Sequence, residues 1–204
     1  MVGMPQRPSA SPLYALLLLW GALAVAAGAA GMVAGSPVPP PAVAGALVLA
    51  GLLAWALSAR FRGWVRAVPL WALVAIHLVR FVGAWFILLY RRGELPFAFA
   101  VPGGWGDILA AASAAALLVA AIPARTPARR RVLLAWNVFG LLDILYVVGT
   151  AARLYLADPL QLAPLTRLPL SLLPTYFVPL VVLTHLRVFG WLREATARKT
   201  SNGV

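Results

Sequence analysis

The chain has 204 residues, 63% of them hydrophobic, with 17 basic against 5 acidic side chains and a formal charge of +12. That apolar excess exceeds what soluble domains use, so the sequence excludes a water-soluble globule and reads as a single membrane domain spanning the chain. Having no cysteine, it also excludes disulfides, thiolate metal ligands, Cys-held iron–sulfur clusters and Cys nucleophiles.

Six apolar stretches follow in chain order and predict an all-α bundle of six transmembrane helices. Span 1, about 12–33, comes after Arg7. Small residues at 26–30 would suit a signal peptidase. An apolar run of about 20 residues, however, matches a helix across ~30 Å of hydrocarbon, so a retained anchor is expected. Gly31 and Gly35 at its end have close-packing spacing. Span 2, about 41–59, starts after a proline-rich turn, and span 3 covers about 68–90.

Residues 93–106 then hold two prolines, Pro96 and Pro102, and glycines at 93, 103, 104 and 106. These turn signals predict a non-helical loop packed on the outer surface, with Asp107 as the N-cap of span 4, about 107–122. The core of span 4, residues 110–116, is alanine and serine only. Lipid gives no hydrophobic reward for helix association, so such small side chains mark close backbone packing inside the bundle. Span 5 covers about 132–155 and span 6 about 168–191. Pro174 and Pro179 in span 6 predict a kink, because Pro179 has no N–H for the carbonyl of Thr175. Thr175, Tyr176 and Thr184 are the groups expected to satisfy what the kink frees.

The basic residues fall into two sets by loop. Arg7, Arg60, Arg62, Arg66, Arg125, Arg129, Arg130, Arg131, Arg187, Arg193, Arg198 and Lys199 share one side of a six-span topology. Arg91, Arg92, Arg153 and Arg167 share the other. The positive-inside rule then predicts N-in/C-in topology, with both ends in the cytoplasm. Span-end arginines would meet anionic lipid headgroups, and without a basic stripe interleaved with aromatics no nucleic-acid partner is expected. The arginine-, alanine- and leucine-rich composition suggests a high-GC bacterium, hence a multi-pass protein of the bacterial cytoplasmic membrane. Trp20, Trp64, Trp71, Trp105, Trp191, Tyr90 and Tyr155 lie near span ends, where interfacial aromatics belong.

Ionisable groups within spans carry the functional expectations. By helix rise, Arg80 lies about 20 Å along span 3 from the cytoplasm and Asp143 about 17 Å along span 5, so the two are expected to pair. No other carboxylate is expected at that depth. His77 shares a face with Arg80, and Asp143, Tyr146 and Thr150 share a face on span 5. With Asn137 and His185 they would line a polar cavity between spans 3, 5 and 6, with Gly83, Gly140 and Gly149 allowing close approach. The ion pair fits a role in binding and, slightly better, a role in fixing how spans 3 and 5 pack. There is no acidic cluster or His-rich metal spacing, and no hydrolytic constellation.

Three readings follow. The first is a membrane protein that binds or transports a small solute, ion or proton through this cavity, with no cofactor. The second is an electron carrier with one b-type haem held by His77 and His185, Thr184 and Arg80 assisting. The third is a non-catalytic subunit of a homo- or hetero-oligomeric membrane complex, its polar residues specifying packing.

Three segments also carry a likeness: Gly93-Glu94-Leu95-Pro96 with Pro102-Gly103-Gly104-Trp105-Gly106-Asp107, Trp136-Asn137-x-x-Gly140-Leu141-Leu142-Asp143, and Pro174-Thr175-x-x-x-Pro179-Leu180 with His185. Together they resemble a group of uncharacterised bacterial integral membrane proteins of similar length. The resemblance implies a bacterial multi-pass protein and brings no activity and no functional residues.

Overall fold

The structure is a computed structural model, described here for residues 9–201, with side chains described to residue 197. Arg7, and the side chains of Arg198 and Lys199, lie outside the described residues. The described residues form helices and no strands. Six helical segments are long and apolar enough to cross a membrane: Ser11–Ala29, Pro40–Leu57, Leu70–Arg91, Phe97–Ala120, Pro127–Ala157 and Leu173–Ala197.

In chain order, α1 is Ser11–Ala29 and α2 is Pro40–Leu57. Both are peripheral: α1 buries only Leu13 and Ala24, and α2 only Pro40 and Ala44. A short helix, α3 (Ala59–Ala67), links spans 2 and 3; Ser58 caps it by accepting from Phe61 N at 3.1 Å. It is amphipathic, with Phe61, Trp64 and Val65 set against Arg60, Arg62 and Arg66, as suits a helix lying at an interface. Arg62 donates to the carbonyls of Trp55 and Ala56 at 2.8 Å, serving the orphan C-terminal oxygens of α2.

Span 3 is not one uniform α-helix. It runs as α4 (Leu70–Ala75), a 3₁₀ segment Ile76–Val82 and α5 (Gly83–Arg91). The tighter winding places residues three apart in eclipse, so His77 and Arg80 project on one line.

Span 4 corrects the expected loop. The helix α6 is Phe97–Ala120, starting ten residues before Asp107, which is therefore an interior residue and not an N-cap. Turn signals that hold in water lose here to the need to satisfy every backbone group in an apolar surrounding, which a helix meets internally. Pro102 leaves the carbonyl of Ala98 without its N–H donor, and the Tyr146 hydroxyl donates to that oxygen at 3.5 Å. The glycines serve packing. A Cβ on Gly104 would lie 2.7 Å from Gly83 O and 2.9 Å from Ile87 Cγ1, so α5 and α6 touch backbone to backbone.

Span 5 is α7, Pro127–Ala157, with Thr126 as N-cap; it is longer at both ends than expected. Asp158 then accepts from Leu160 N at 2.9 Å and opens a 3₁₀ segment, Pro159–Thr166. In span 6 the expected helical start, 168–171, is a turn. A π-helical turn, Leu173–Phe177, leads into α8, Val178–Ser201. The Thr175 carbonyl that Pro179 cannot serve accepts instead from Trp20 Nε1 of α1 at 2.9 Å. Thr175 Oγ1 donates to Ser171 O at 2.7 Å.

Spans 3 to 6 build the core, which has two apolar layers. One contains Phe86, Leu89, Phe99, Ile144, Val147, Leu162, Leu165 and Val181. The other contains Leu73, Val74, Ala114, Leu117, Leu133, Trp136 and Val188. Along each of the four spans these layers flank the same kind of position: His77 and Arg80, Asp107, Asn137 and Asp143, and His185. A polar stratum thus crosses the middle of the bundle. One end of the bundle is basic and knitted by Arg130 Nη1 donating to Ala195 O at 2.9 Å and by Arg66 and Arg187 meeting Glu194 at 3.7 and 3.4 Å.

Candidate functional site

The stratum is organised by one guanidinium. Arg80 Nε donates to Asp107 Oδ1 at 2.6 Å, Nη1 to Gly140 O at 2.9 Å, and Nη2 to Asp143 Oδ2. The Arg80 and Asp107 side chains are almost wholly buried and that of Asp143 is 10% exposed. The Arg80–Asp143 contact read from the sequence is present, and Asp107 corrects the expectation of a single deep carboxylate. Among the described residues no other Arg or Lys joins the cluster, so one fixed positive charge faces two carboxylates.

Beside it lie two fully buried imidazoles from different spans, their ring centroids 4.2 Å apart. Asn137 fixes one of them. Its Nδ2 donates to His185 O at 3.1 Å, so its Oδ1 faces His185 Nδ1 at 2.8 Å and must accept. His185 therefore carries its proton on Nδ1, and Nε2 has no partner in hydrogen-bonding geometry. Thr184 orders the other. Its hydroxyl shares a hydrogen bond with His77 Nε2 at 3.2 Å and lies within reach of Leu180 O at 3.0 Å and Val181 O at 2.9 Å. His77 Nδ1 is then the orphan. Each imidazole ends with one buried nitrogen without a partner.

Trp136 closes the site toward the basic end. Its ring stands edge-on to His77 at 4.9 Å and 5.5 Å from His185, and its Nε1 donates to Ala110 O at 3.1 Å. Gly140 makes the room: a Cβ there would come within 2.7 Å of His185 Cε1 and 3.3 Å of Arg80 Nη1. Gly106 leaves the space that Asp143 enters.

The structure thus brings together His77, Arg80, Asn137, Asp143 and His185. It does not bring in Tyr146, about half exposed on α7, or Thr150, buried about 10 Å further along that helix. These groups meet as a hydrogen-bonded polar cluster. An apolar cavity lies on the side of the cluster away from Trp136, with Arg80 and Asp107 at one end. The haem arrangement does not fit: metal–nitrogen bonds of about 2 Å on both faces of a porphyrin would hold two ring centroids well beyond their present contact.

Sequence reasoning named Thr184 beside the histidines, but missed the part Asp107 and Trp136 play in the cluster. Asp107 had a signal in the wholly apolar run 97–106 before it. Trp136 had one in its helical spacing, four residues from Gly140 and seven from Asp143.

No curated protein and no solved structure matches the chain. A family model does, over residues 38–193, which takes in spans 2 to 5, most of span 6 and every residue of the polar cluster. The chain belongs to that family, described as Domain of unknown function (DUF8737).

Proposed function

We propose that this is an integral membrane protein whose buried cluster takes up and releases one proton, and that it moves a proton or a small solute or ion coupled to it. The observation that carries this reading is the charge count. Two carboxylates against one guanidinium leave one net negative charge at membrane depth, beside two imidazoles each with an unpartnered nitrogen. An uncompensated charge in that surrounding is costly, so the cluster at rest holds one additional proton or cation. Four titratable positions lie around Arg80: Asp107 and Asp143, which it holds, and the unpartnered nitrogens His77 Nδ1 and His185 Nε2 beside it. A proton shared among them has more than one place to reside, which is what transfer through a cluster requires.

We place the protein in a bacterial cytoplasmic membrane with the basic end and both termini inside. The support is the asymmetry of arginine between the two ends and the six apolar helices. The test uses the full chain in vesicles loaded with a pH-sensitive dye. Under an imposed proton gradient, wild type is expected to change the internal pH faster than protein-free vesicles, and Asp107→Asn to abolish the difference. A wild type indistinguishable from empty vesicles would remove the movement of protons from this reading.

A further inference from the structure

The apolar cavity is not used by the proton chemistry, and its dimensions are specific. Its wall follows α7 from Ile144 to Tyr155, which by helix rise is about 16 Å. Over that length the enclosed space is small, so it is a slot narrow in cross-section. Arg80 and Asp107 stop it at one end, and Tyr155 and the 3₁₀ segment Pro159–Thr166 border the other. The hydrocarbon of a bilayer is about 30 Å thick, so the slot has the reach of one leaflet, from the midplane to the interface. On one side it is walled by α2, a peripheral helix that contributes only its first turns, Pro40, Pro41 and Ala44.

We infer that this slot is a binding site for one hydrocarbon chain of a membrane lipid, its headgroup at the Tyr155 end and its terminal methyl against the Arg80–Asp107 pair. The inference does not rest on the proton reading. Left empty, the slot would forfeit the dispersion contacts of its whole lining, and the surrounding phase supplies a filler of matching width and length. Water is a poor alternative, because each water needs two to four polar partners and the lining outside the one end is aliphatic or aromatic. An occupying chain also seals the cluster from water on that side.

The experiment uses the full chain in vesicles of phosphatidylglycerol doped with an analogue that carries a photoreactive diazirine at the end of one acyl chain. Illumination and peptide mass analysis are expected to place the label on Val79, Ile144 and Val181 at the closed end of the slot. Ala151→Phe and Ala44→Phe, which fill the slot from two different helices, are each expected to lose that label while unfolding in one sharp transition. Ala112→Phe, on the exposed side of α6, is expected to keep it. Label confined to exposed residues such as Leu142 and Leu145, or unchanged labelling in both filled variants, would overturn the inference. Native mass spectrometry of protein taken from its own membrane distinguishes the source, an acyl lipid from a polyisoprenoid one. Protein that leaves the membrane with neither, and takes up neither on back-titration, would overturn it as well.

Discussion

At the scale of single residues, Arg80 is the balance point. Removing it leaves two carboxylates facing each other without a cation, whereas removing Asp143 leaves a matched Arg80–Asp107 pair. Breaking a buried ion pair by deleting one partner costs about 3–5 kcal/mol. We therefore expect Arg80→Gln to lower the unfolding temperature most, the double change Arg80→Gln with Asp143→Asn to be intermediate, and Asp143→Asn alone to be mildest. A simple Arg80–Asp143 pair would give a different order, with Asp143→Asn as harmful as Arg80→Gln and the double change mildest. Thermal unfolding in one detergent decides between them. Asn137 makes a second, separable prediction. Its replacement by Ala strips the partner from His185 Nδ1, at about 1–3 kcal/mol for a buried group left unpaired, while His185 O keeps its bond within α8. The same assay should show that loss, and a variant as stable as wild type would mean that the Asn137 bridge does not order the ring.

At the scale of elements, the crossing of α5 and α6 sets the cluster's geometry. Gly83 and Gly104 meet backbone to backbone, one turn from Asp107. Gly104→Leu should push the two helices apart and lower the unfolding temperature strongly, while Gly149→Leu, where a Cβ meets nothing within 4 Å, should be tolerated. Equal effects of the two would show that the close crossing is not required. This is also where the sequence was hardest to read. The spans themselves were legible because apolar length is enforced by bilayer thickness, and His77, Arg80, Asn137, Asp143 and His185 were legible because polar groups are rare in such spans. Residues 97–106 were not, because proline and glycine signify turns in water but tolerated breaks and close contacts between membrane helices. That misreading hid Asp107 and made the charge count look balanced. The 3₁₀ winding of Ile76–Val82 left no mark in the pattern of apolar residues, since the same side chains suit an α-helix there. The helix α3 was legible in principle, from Phe61, Trp64 and Val65 opposed to the arginines, but its short length let it pass as a loop.

At the scale of the whole molecule, a basic end, a polar stratum and an apolar slot follow one another through the bundle. Trp136 stands between the basic end and the imidazoles, and the slot occupies the other side, so proton exchange is expected to pass by Trp136 and not through the slot. The absence of cysteine makes the orientation simple to measure. A single cysteine replacing Arg129 should react with a membrane-impermeant maleimide only in inside-out vesicles, and one replacing Glu94 only in intact cells. The reverse pattern would invert the bundle. The central claim, one exchangeable proton in the Arg80 cluster, is tested most directly by infrared difference spectra of the full chain in lipid, recorded as the bulk pH is stepped. The account predicts a titrating carboxylic-acid or imidazole band that shifts in Asp143→Asn and His77→Gln and disappears when Asp107 and Asp143 are both replaced by Asn. Spectra in which neither carboxyl nor imidazole bands of these residues change at any pH the folded protein survives would contradict it.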